Sequence, residues 1–529
     1  MSASSKKKLR KEIESAKLTE KQQTAQREAK KLNLYTTIFV VVMVALLVIA
    51  ITVGVKQTIT TKGIMEKKTI AATIGDHEIN NVEMNYFYMD AINNFYSSYG
   101  SYASLFGLDV TLPLNEQIVD EETGTTWADD FLDSAKQSAL AVYAMKDAAD
   151  AAGYALSEEE LTAIDNDLAT LDLYAVMYGY ADADAYLKAF YGSAADKKTY
   201  TEYTKLRALA SSYQEHYSES LVYDEAALAA AEAANPGAYS SYSYQSYYLA
   251  TSKFENEAAA EAAAASLTAA EIKSVEDLDA AIAALEVNEG TSAASTAYNE
   301  TLYSSVNSIY AQWVADSSRK AGDKAYFAST STNTAEDGTE TTTVSGYYVV
   351  YFLDSIDNEF ALTNVRHILI APEHSHEEGE EHAEDETHSE EELAAAKATA
   401  EEILASWKAG EATEESFAAL ANEKSADGDG TTGGLYENVY PGQMVDNFND
   451  WCFDVNRKPG DTGIVESSYG YHVMYFVGDS DVTYHDYLIE TELRNADVNA
   501  WYEAATQALT ITDGDAKYLK MDLVISPAA

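Results

Sequence analysis

The longest apolar run of the chain lies near its N-terminus. Residues 34–55 carry no charge and consist mostly of Val, Ile, Leu and Ala, which is long enough to cross a bilayer as one helix. Residues 1–33 hold ten Lys or Arg against four Asp or Glu, so the positive-inside rule places them in the cytoplasm. A cleaved signal peptide is the alternative, but Gly54-Val55-Lys56 offers no small-x-small cleavage site. The pattern predicts a single-pass protein of the cell membrane whose larger part is extracytoplasmic.

Beyond this run, the pattern changes to short strands and amphipathic helices. A strand is predicted over residues 69–74, and Asn80 is the predicted N-cap of a helix, with Glu83 as its capping-box acid. Apolar residues then recur at helical spacing at Leu161, Ile164, Leu168 and Leu171, and continue as Tyr174, Met177 and Tyr178. Such a stripe is usually core, and the alternative is an exposed Tyr and Met surface that holds unfolded chains.

Two histidines farther along lie inside short apolar runs that predict buried strands. His367 belongs to residues 365–370 and His472 to residues 469–474, and a helical stretch separates the two runs. If these strands pair, both imidazoles come to one place. Between them lie Gly433-Gly434-Leu435 and the segment 442–448, Gly-Gln-Met-Val-Asp-Asn-Phe.

Together these motifs resemble the parvulin-type peptidyl-prolyl isomerases. The resemblance implies a small antiparallel sheet with surrounding helices over residues 361–479, in which His367 and His472 share a hydrogen-bond network. It places Asp427 and Ser467 in the same catalytic group, and it implies that the proline ring is bound by Leu435, Met444 and Phe448. Rotation about an X-Pro bond makes and breaks no covalent bond, so we expect no cofactor.

An internal repeat precedes this region. Residues 451–461 match residues 313–323, with six of eleven positions identical, and residues 470–476 match residues 346–352 in the same order. We therefore predict a first, degenerate parvulin-like domain over residues 237–355, whose strand near 245–250 precedes an Ala-rich helix over 255–267. Tyr348 takes the place of His472, and Tyr247 is the expected counterpart of His367, so this copy should be catalytically silent. Its stretch 329–345 predicts a flexible loop.

Charge excludes several kinds of partner. The chain has a net charge of −52, of which residues 1–33 contribute +6, so the part predicted outside carries about −58. Such a surface argues against nucleic acid or anionic lipid as a ligand. The single cysteine, Cys452, excludes an internal disulfide and is predicted to be a buried packing residue.

The stretch 372–392 holds eleven acidic residues, four His and no Lys or Arg. This charge excludes phosphate recognition. His374 and His376 are weak candidates for a divalent metal such as Zn²⁺, but no ligand spacing here matches a closed structural site, so we expect no metal.

The order of these elements resembles bacterial extracytoplasmic foldases of the PrsA and SurA type. It implies a mainly helical chaperone domain over residues 64–236 that the C-terminal segment 480–529 completes, with a helix over 484–509 and a strand over 518–525. The α+β chain is then expected to isomerise X-Pro bonds in unfolded or partly folded exported proteins, and it could form a homo-oligomer. The alternatives are a holdase that binds chains without catalysis and, less favoured, an extracellular metal-binding protein.

Overall fold

The computed structural model describes residues 63–334, 339–372, 388–428 and 430–525, with five isolated positions nearer the N-terminus. The predicted cytoplasmic segment and membrane span, 1–33 and 34–55, lie outside the described residues apart from those positions. Within the described part, no helix is long and apolar enough to cross a membrane. The chain divides into an N-terminal unit, which ends at Leu221 and resumes at Asp497, and a central unit from Val222 to Ala496.

The described elements confirm the prediction of a mixed helix and sheet fold. The helices are α1 (Ile64–Lys68), α2 (Asn81–Tyr99), α3 (Trp127–Ala152), α4 (Glu158–Met177), α5 (Ala183–Tyr191), α6 (Lys197–Ser220), α7 (Glu225–Ala234), α8 (Glu257–Ala269), α9 (Val275–Ala283), α10 (Ala311–Val314), α11 (Glu390–Ala409), α12 (Glu414–Lys424), α13 (Asp446–Cys452) and α14 (Tyr484–Gln507). The strands are β1 (Ile70–Ile74), β2 (His77–Asn80), β3 (Ile118–Asp120), β4 (Thr125–Thr126), β5 (Ser241–Ala250), β6 (Thr296–Leu302), β7 (Lys324–Thr334), β8 (Glu340–Ile356), β9 (Ala361–Ile370), β10 (Leu435–Val439), β11 (Thr462–Ser467), β12 (Gly470–Thr483) and β13 (Ile511–Asp513). Short 3-10 helices lie at Gly100–Phe106, Leu114–Glu116, Thr251–Lys253, Glu286–Asn288 and Tyr303–Ser305.

The N-terminal unit is built around β1, α2 and α3. β1 is the middle strand of an antiparallel sheet, with β2 on one side and β13 from the C-terminal segment on the other. The buried Asn81 side chain holds this returning segment, because its Nδ2 donates to the backbone oxygens of Thr69 and Asp515, both at 2.8 Å. The first and last described parts of the chain therefore fold together in this unit.

Two local predictions for this unit are wrong in part. Asn80 is the N-cap of α2, but Glu83 does not complete a capping box, because its carboxylate accepts a hydrogen bond from Tyr143 Oη instead. Residues 518–525 form turns and irregular chain, and the C-terminal strand lies earlier, at β13. Alternation over so few residues does not separate a strand from an irregular segment that packs Leu519 inward.

The apolar stripe on α4 is only half core. Ile164 and Leu168 are buried, as predicted. The residues that follow are between 51% and 69% exposed, and we call them the α4 apolar surface: Leu173, Tyr174, Val176, Met177 and Tyr178. The last turn of the helix is covered on one side only, where Ala175 is buried, so helical spacing alone did not show which side chains are covered.

The central unit contains two four-stranded antiparallel sheets with the same order of strands. The first sheet runs β6-β5-β8-β7 and the second runs β10-β9-β12-β11. In both sheets, a glycine just before the third strand donates from its backbone N–H to a phenylalanine carbonyl on the fourth. These bonds join Gly322 to Phe352 in the first sheet and Gly460 to Phe476 in the second, at 2.8 to 2.9 Å. An Arg also lies over a Trp ring in each, at 4.8 Å in the first and 3.9 Å in the second.

The structure corrects two details of the repeat. Most of the stretch 329–345 belongs to the hairpin strands β7 and β8 and is not a loop. The counterpart of His367 is Ser246 and not Tyr247. His367 pairs with Met474 and Ser246 pairs with Val350, and Met474 and Val350 are matched positions of the repeat. A shift of one residue moves a side chain to the other face of a sheet.

Candidate functional site

The pairing of β9 and β12 brings the two histidines together. His367 lies opposite Met474, and His472 lies opposite Leu369, so the two imidazoles are diagonal neighbours on one face of the second sheet. Their Nδ1 atoms are 3.1 Å apart, and the residues are only 3% and 5% exposed. A buried imidazole pair at hydrogen-bond distance is therefore the centre of the site.

Asp427 reaches this pair from the chain that follows α12. The Ser425 hydroxyl accepts a hydrogen bond from the backbone N–H of Leu369 at 3.0 Å, and the Ala426 N–H donates to the Leu369 carbonyl at 2.8 Å. These bonds fix the chain beside β9. Asp427 Oδ2 then lies 2.9 Å from His367 Nε2 and accepts a second hydrogen bond from Tyr436 Oη at 2.8 Å.

Ser467 contacts the opposite end of the pair. It is the last residue of β11, and its Oγ lies 2.7 Å from His472 Nε2. The turn into β12 needs Gly470, whose φ is +130° and whose added Cβ would lie 2.3 Å from the Ile370 carbonyl oxygen. The tight turn therefore places a hydroxyl directly beside the second imidazole.

Burial keeps both imidazoles neutral near pH 7. Burial lowers the pKa of His367 from its ordinary value, although the Asp427 carboxylate opposes this shift. Burial and the neighbouring His367 lower the pKa of His472 to about 4. Burial, together with the Asp427 carboxylate, raises the pKa of Tyr436 to about 12, so its hydroxyl remains a donor.

These protonation states fix the direction of every hydrogen bond in the site. A carboxylate only accepts, so His367 donates from Nε2 to Asp427 and must accept at Nδ1. His472 then donates from its Nδ1, and its Nε2 accepts from the Ser467 hydroxyl. We call this series, from Tyr436 to Ser467, the histidine network.

A cavity of about 300 Å³ opens beside the network. Phe448 forms one wall, and its ring meets both imidazole rings edge to face at centroid distances of 5.3 Å. The lining residues are His367, Leu369, Asp427, Tyr436, Gln443, Met444, Val445, Phe448, Tyr469 and His472. The site thus combines a mainly apolar cup with a polar floor in which every imidazole nitrogen is hydrogen-bonded.

Most of the predicted site residues meet here, with one exception. His367, Asp427, His472, Met444 and Phe448 line the cavity, and Ser467 reaches it through His472. Leu435 is not among the lining residues. Its neighbour Tyr436 is, because successive residues of β10 point to opposite faces.

Tyr436 is also the main residue that sequence reasoning missed. Its only signal is its place one residue after Leu435 in β10. The preceding Gly434 allows β10 to approach β9, since an added Cβ would lie 2.1 Å from the backbone oxygen of His367 and its φ is +66°.

Two further sequence candidates remain, the metal-binding histidines and the single cysteine. His374 and His376 lie outside the described residues. Within the described ranges, no group of three or more His, Cys, Asp or Glu is placed to hold a metal ion. Cys452 is buried, as predicted, and burial raises its thiol pKa to about 12, so it is a packing residue.

Comparison with known proteins identifies this part of the chain. Residues 348–478 match the family model described as a PPIC-type PPIase domain. Over 82 residues the chain is 40% identical to foldase protein PrsA 1 of Listeria innocua and 39% identical to that of Listeria monocytogenes. The match covers 15% of this chain and 26% of each relative, so the chain spans about a quarter of the length of the curated relatives it matches. The resemblance expected from the two histidine strands is confirmed.

Solved structures of PrsA proteins are also similar to the chain. PrsA from Bacillus subtilis is 16% identical, with a TM-score of 0.28, over 73% of this chain and 87% of that one. The peptidylprolyl isomerase PrsA from Bacillus cereus is 24% identical, with a TM-score of 0.18, over 29% and 50% respectively. TM-scores this low do not establish a shared overall arrangement.

Proposed function

We propose that this chain, which contains a parvulin-type domain like that of the PrsA foldases, is a peptidyl-prolyl cis/trans isomerase that assists the folding of exported proteins. The observation that carries the proposal is the histidine network beside an apolar cup. Each imidazole nitrogen has a hydrogen-bond partner within the protein before a substrate arrives. Such a site can act on an amide without making a covalent bond to it.

The proposed chemistry follows from what amide rotation requires. Twisting an X-Pro bond removes amide resonance against a barrier of roughly 18–20 kcal/mol, so the site must favour the twisted form over the planar one. Met444 and Phe448 would hold the proline ring in a water-poor cup. The planar amide carries more negative charge on its oxygen than the twisted one. A carboxylate such as Asp427 at the edge of the cup therefore disfavours the planar ground state.

We further propose that the histidines act by holding Asp427 and Ser467 in place. Both imidazoles are buried and neutral, and each uses both ring nitrogens in the network. Neither has a free nitrogen with which to attack a substrate. The reaction needs no nucleophile, which agrees with a carboxylate at position 427.

The first sheet is proposed to be a degenerate copy without activity. Ser246 and Tyr348 stand where the second sheet has His367 and His472, so no imidazole pair exists there. The Tyr348 ring instead packs against Tyr248 at a centroid distance of 4.7 Å.

The remaining assignments are proposals about the layout of the whole chain. Residues 1–33 would be cytoplasmic, 34–55 would anchor the chain in the cell membrane, and 64–236 with 480–529 would form a chaperone domain. The degenerate copy would span 237–355, and the isomerase domain 361–479. The returning strand β13 supports the union of the first and last parts, because it pairs with β1. The partners would be exported proteins with X-Pro bonds.

One observation favours a second candidate function, a holdase that binds chains without catalysis. The α4 apolar surface exposes five large apolar side chains on one helix end. Exposed Tyr and Met side chains suit adaptable contacts with unfolded chains. Both functions could reside in one chain, because this surface and the histidine network belong to different units.

The test is isomerisation of X-Pro tetrapeptides by the full chain in mild detergent. We compare the wild type with His472→Ala and with the matched variant Tyr348→Ala in the degenerate copy. Acceleration that is lost only in His472→Ala supports the proposed enzyme. No acceleration by the wild type, with suppression of client aggregation retained, refutes it in favour of the holdase.

A further inference from the structure

A second and larger cavity lies in the central unit, outside the histidine network. Its volume is about 680 Å³, within the range of ligand-binding pockets. It is lined by the end of β6, the linker between the two sheets, the turn after β10 and the start of α14. The lining residues are Ser241, Glu300, Thr301, Leu302, Ser305, Ile356, Asn358, Phe360, Tyr440, Pro441, Gly442, Asn449, Phe453 and Tyr484.

One turn of the chain separates the two cavities. Residues 440–442 line the second cavity, and the next residue, Gln443, lines the first. Two hydrogen bonds close this turn, from the Gln443 N–H to the Tyr440 carbonyl at 3.2 Å and from the Tyr440 N–H to Gln443 Oε1 at 3.1 Å. Neighbouring Cα atoms are about 3.8 Å apart, so an extended peptide with proline in the first cavity reaches the second within a few residues.

The walls of the second cavity are fixed before any ligand binds. The buried Asn358 side chain donates from Nδ2 to the Tyr239 carbonyl at 2.7 Å. The backbone carbonyl of Asn358 accepts from the backbone N–H of His485 at 3.0 Å. Tyr440 stacks on Tyr484 with a centroid distance of 5.1 Å and an angle of 12°. A preformed cavity loses little conformational entropy when it binds a ligand.

The chemistry of the lining indicates what the cavity binds. Half of its lining residues are aromatic or aliphatic, and Glu300 is the one charged residue among the lining residues. Glu300 to Leu302 lie on β6, which is the outer strand of the first sheet. An outer strand offers backbone N–H and C=O groups to an extended peptide. The complementary ligand is therefore an extended, apolar peptide segment that also carries a positive charge.

We propose that this second cavity binds the stretch of client chain that flanks the isomerised proline, taking a large apolar side chain with a neighbouring Lys or Arg facing Glu300. The inference rests on the proposed isomerase function, because it places the proline itself in the first cavity. It makes client selection a property of both sheets, so the degenerate copy contributes a wall of the binding site although it has no network of its own.

The test uses two peptides and two matched variants of the full chain. One peptide is an X-Pro tetrapeptide, and the other extends the same core to about twelve residues with Phe and Lys on each side. Ser305→Trp places a large ring at the lining of the second cavity. Ser304→Trp is the control, because Ser304 is also exposed and precedes it but does not line the cavity.

We expect the wild type to process the long peptide with about tenfold higher kcat/KM than the tetrapeptide, the gain from burying one large apolar side chain. Ser305→Trp should abolish this gain and leave the tetrapeptide rate unchanged, and Ser304→Trp should change neither. Equal rates for both peptides, or a gain that Ser305→Trp retains, would overturn the inference.

A binding measurement separates this inference from the proposed function. We measure the fluorescence anisotropy of the labelled long peptide with the His472→Ala chain. Binding that Ser305→Trp weakens about tenfold, even if no variant isomerises anything, supports the cavity while the isomerase fails. Unchanged binding means that the peptide does not occupy the second cavity, and refutes the inference.

Discussion

If the histidine network acts as one unit, damage at its two ends should not be additive. Asp427→Asn keeps the size of the side chain and removes the charge that accepts from His367 and Tyr436. Ser467→Ala removes the hydroxyl that donates to His472 Nε2. The two substitutions share no direct contact, and only the imidazole pair connects them.

The expected magnitudes follow from the contacts that each change removes. A hydrogen bond to a charged group contributes roughly 1.5–3 kcal/mol, and the Asp427 side chain is 38% exposed, so we take the lower end, about tenfold in kcat/KM. Loss of the donor to buried His472 costs roughly 1–2 kcal/mol, about five- to thirtyfold. Independent effects would multiply, whereas a connected network should give a coupling energy of about 1 kcal/mol.

The assay is a double-mutant cycle on isomerisation of an X-Pro tetrapeptide at neutral pH, followed by exchange NMR. Urea unfolding of each variant shows whether the fold is intact. Ser329→Ala is the matched control for Ser467→Ala, because it occupies the same register position in the first sheet. Additivity of the two active-site substitutions within ~0.3 kcal/mol would refute the idea of a single network.

Four further outcomes are expected. Because the pKa of His472 is lowered to about 4 and its neutral form is the active one, kcat/KM should stay constant from about pH 5.5 to 8; a break near 6.5, the ordinary histidine value, would contradict the neutral pair. The same lowered pKa means that the unfolding free energy should fall as pH drops from about 6.5 toward 4, which chemical unfolding at several pH values measures. Gly434→Ala should lower the free energy of unfolding in urea by about 3 kcal/mol, because φ at this position is +66° and the added Cβ would lie 2.1 Å from a carbonyl oxygen of β9. Gly428→Ala is the control: no atom lies near its added Cβ, so only its positive φ should lower the free energy of unfolding. Tyr174→Ser with Met177→Ser should weaken suppression of client aggregation in light scattering and leave tetrapeptide isomerisation unchanged, and intact suppression would argue against the α4 apolar surface as a client site.

The sequence predicted the catalytic face because strand periodicity and motif spacing act locally. His367 and His472 each lie in a run that alternates between faces, and the observed pairing places both imidazoles on the same face. Tyr436 escaped notice because its role depends on how β10 meets β9, which is set by the glycine pair before it. No local pattern contains that distance.

The misplaced counterpart of His367 has a different cause. The two copies share identities in their last hairpins, but the matched segments do not include β5. The same register irregularity occurs at corresponding places in both sheets, between Ser243 and Tyr244 opposite β8 and between Asn364 and Val365 opposite β12, so it does not separate the copies. Without identities in β5, the register of this strand follows only from its pairing with β8, and alternation along one strand does not reveal it.

The comparison of the two sheets shows which residues specify the scaffold and which specify the chemistry. The hairpin glycines and the Arg over a Trp ring are present in both copies, at positions that shape turns and outer surfaces. On the sheet face that lines the first cavity, an imidazole pair in one copy corresponds to Ser246 and Tyr348 in the other. A single imidazole restored to the first sheet would have no partner for its second ring nitrogen. We therefore propose that activity in this architecture depends on a complete set of paired groups, and that the scaffold persists in a copy that lacks this set.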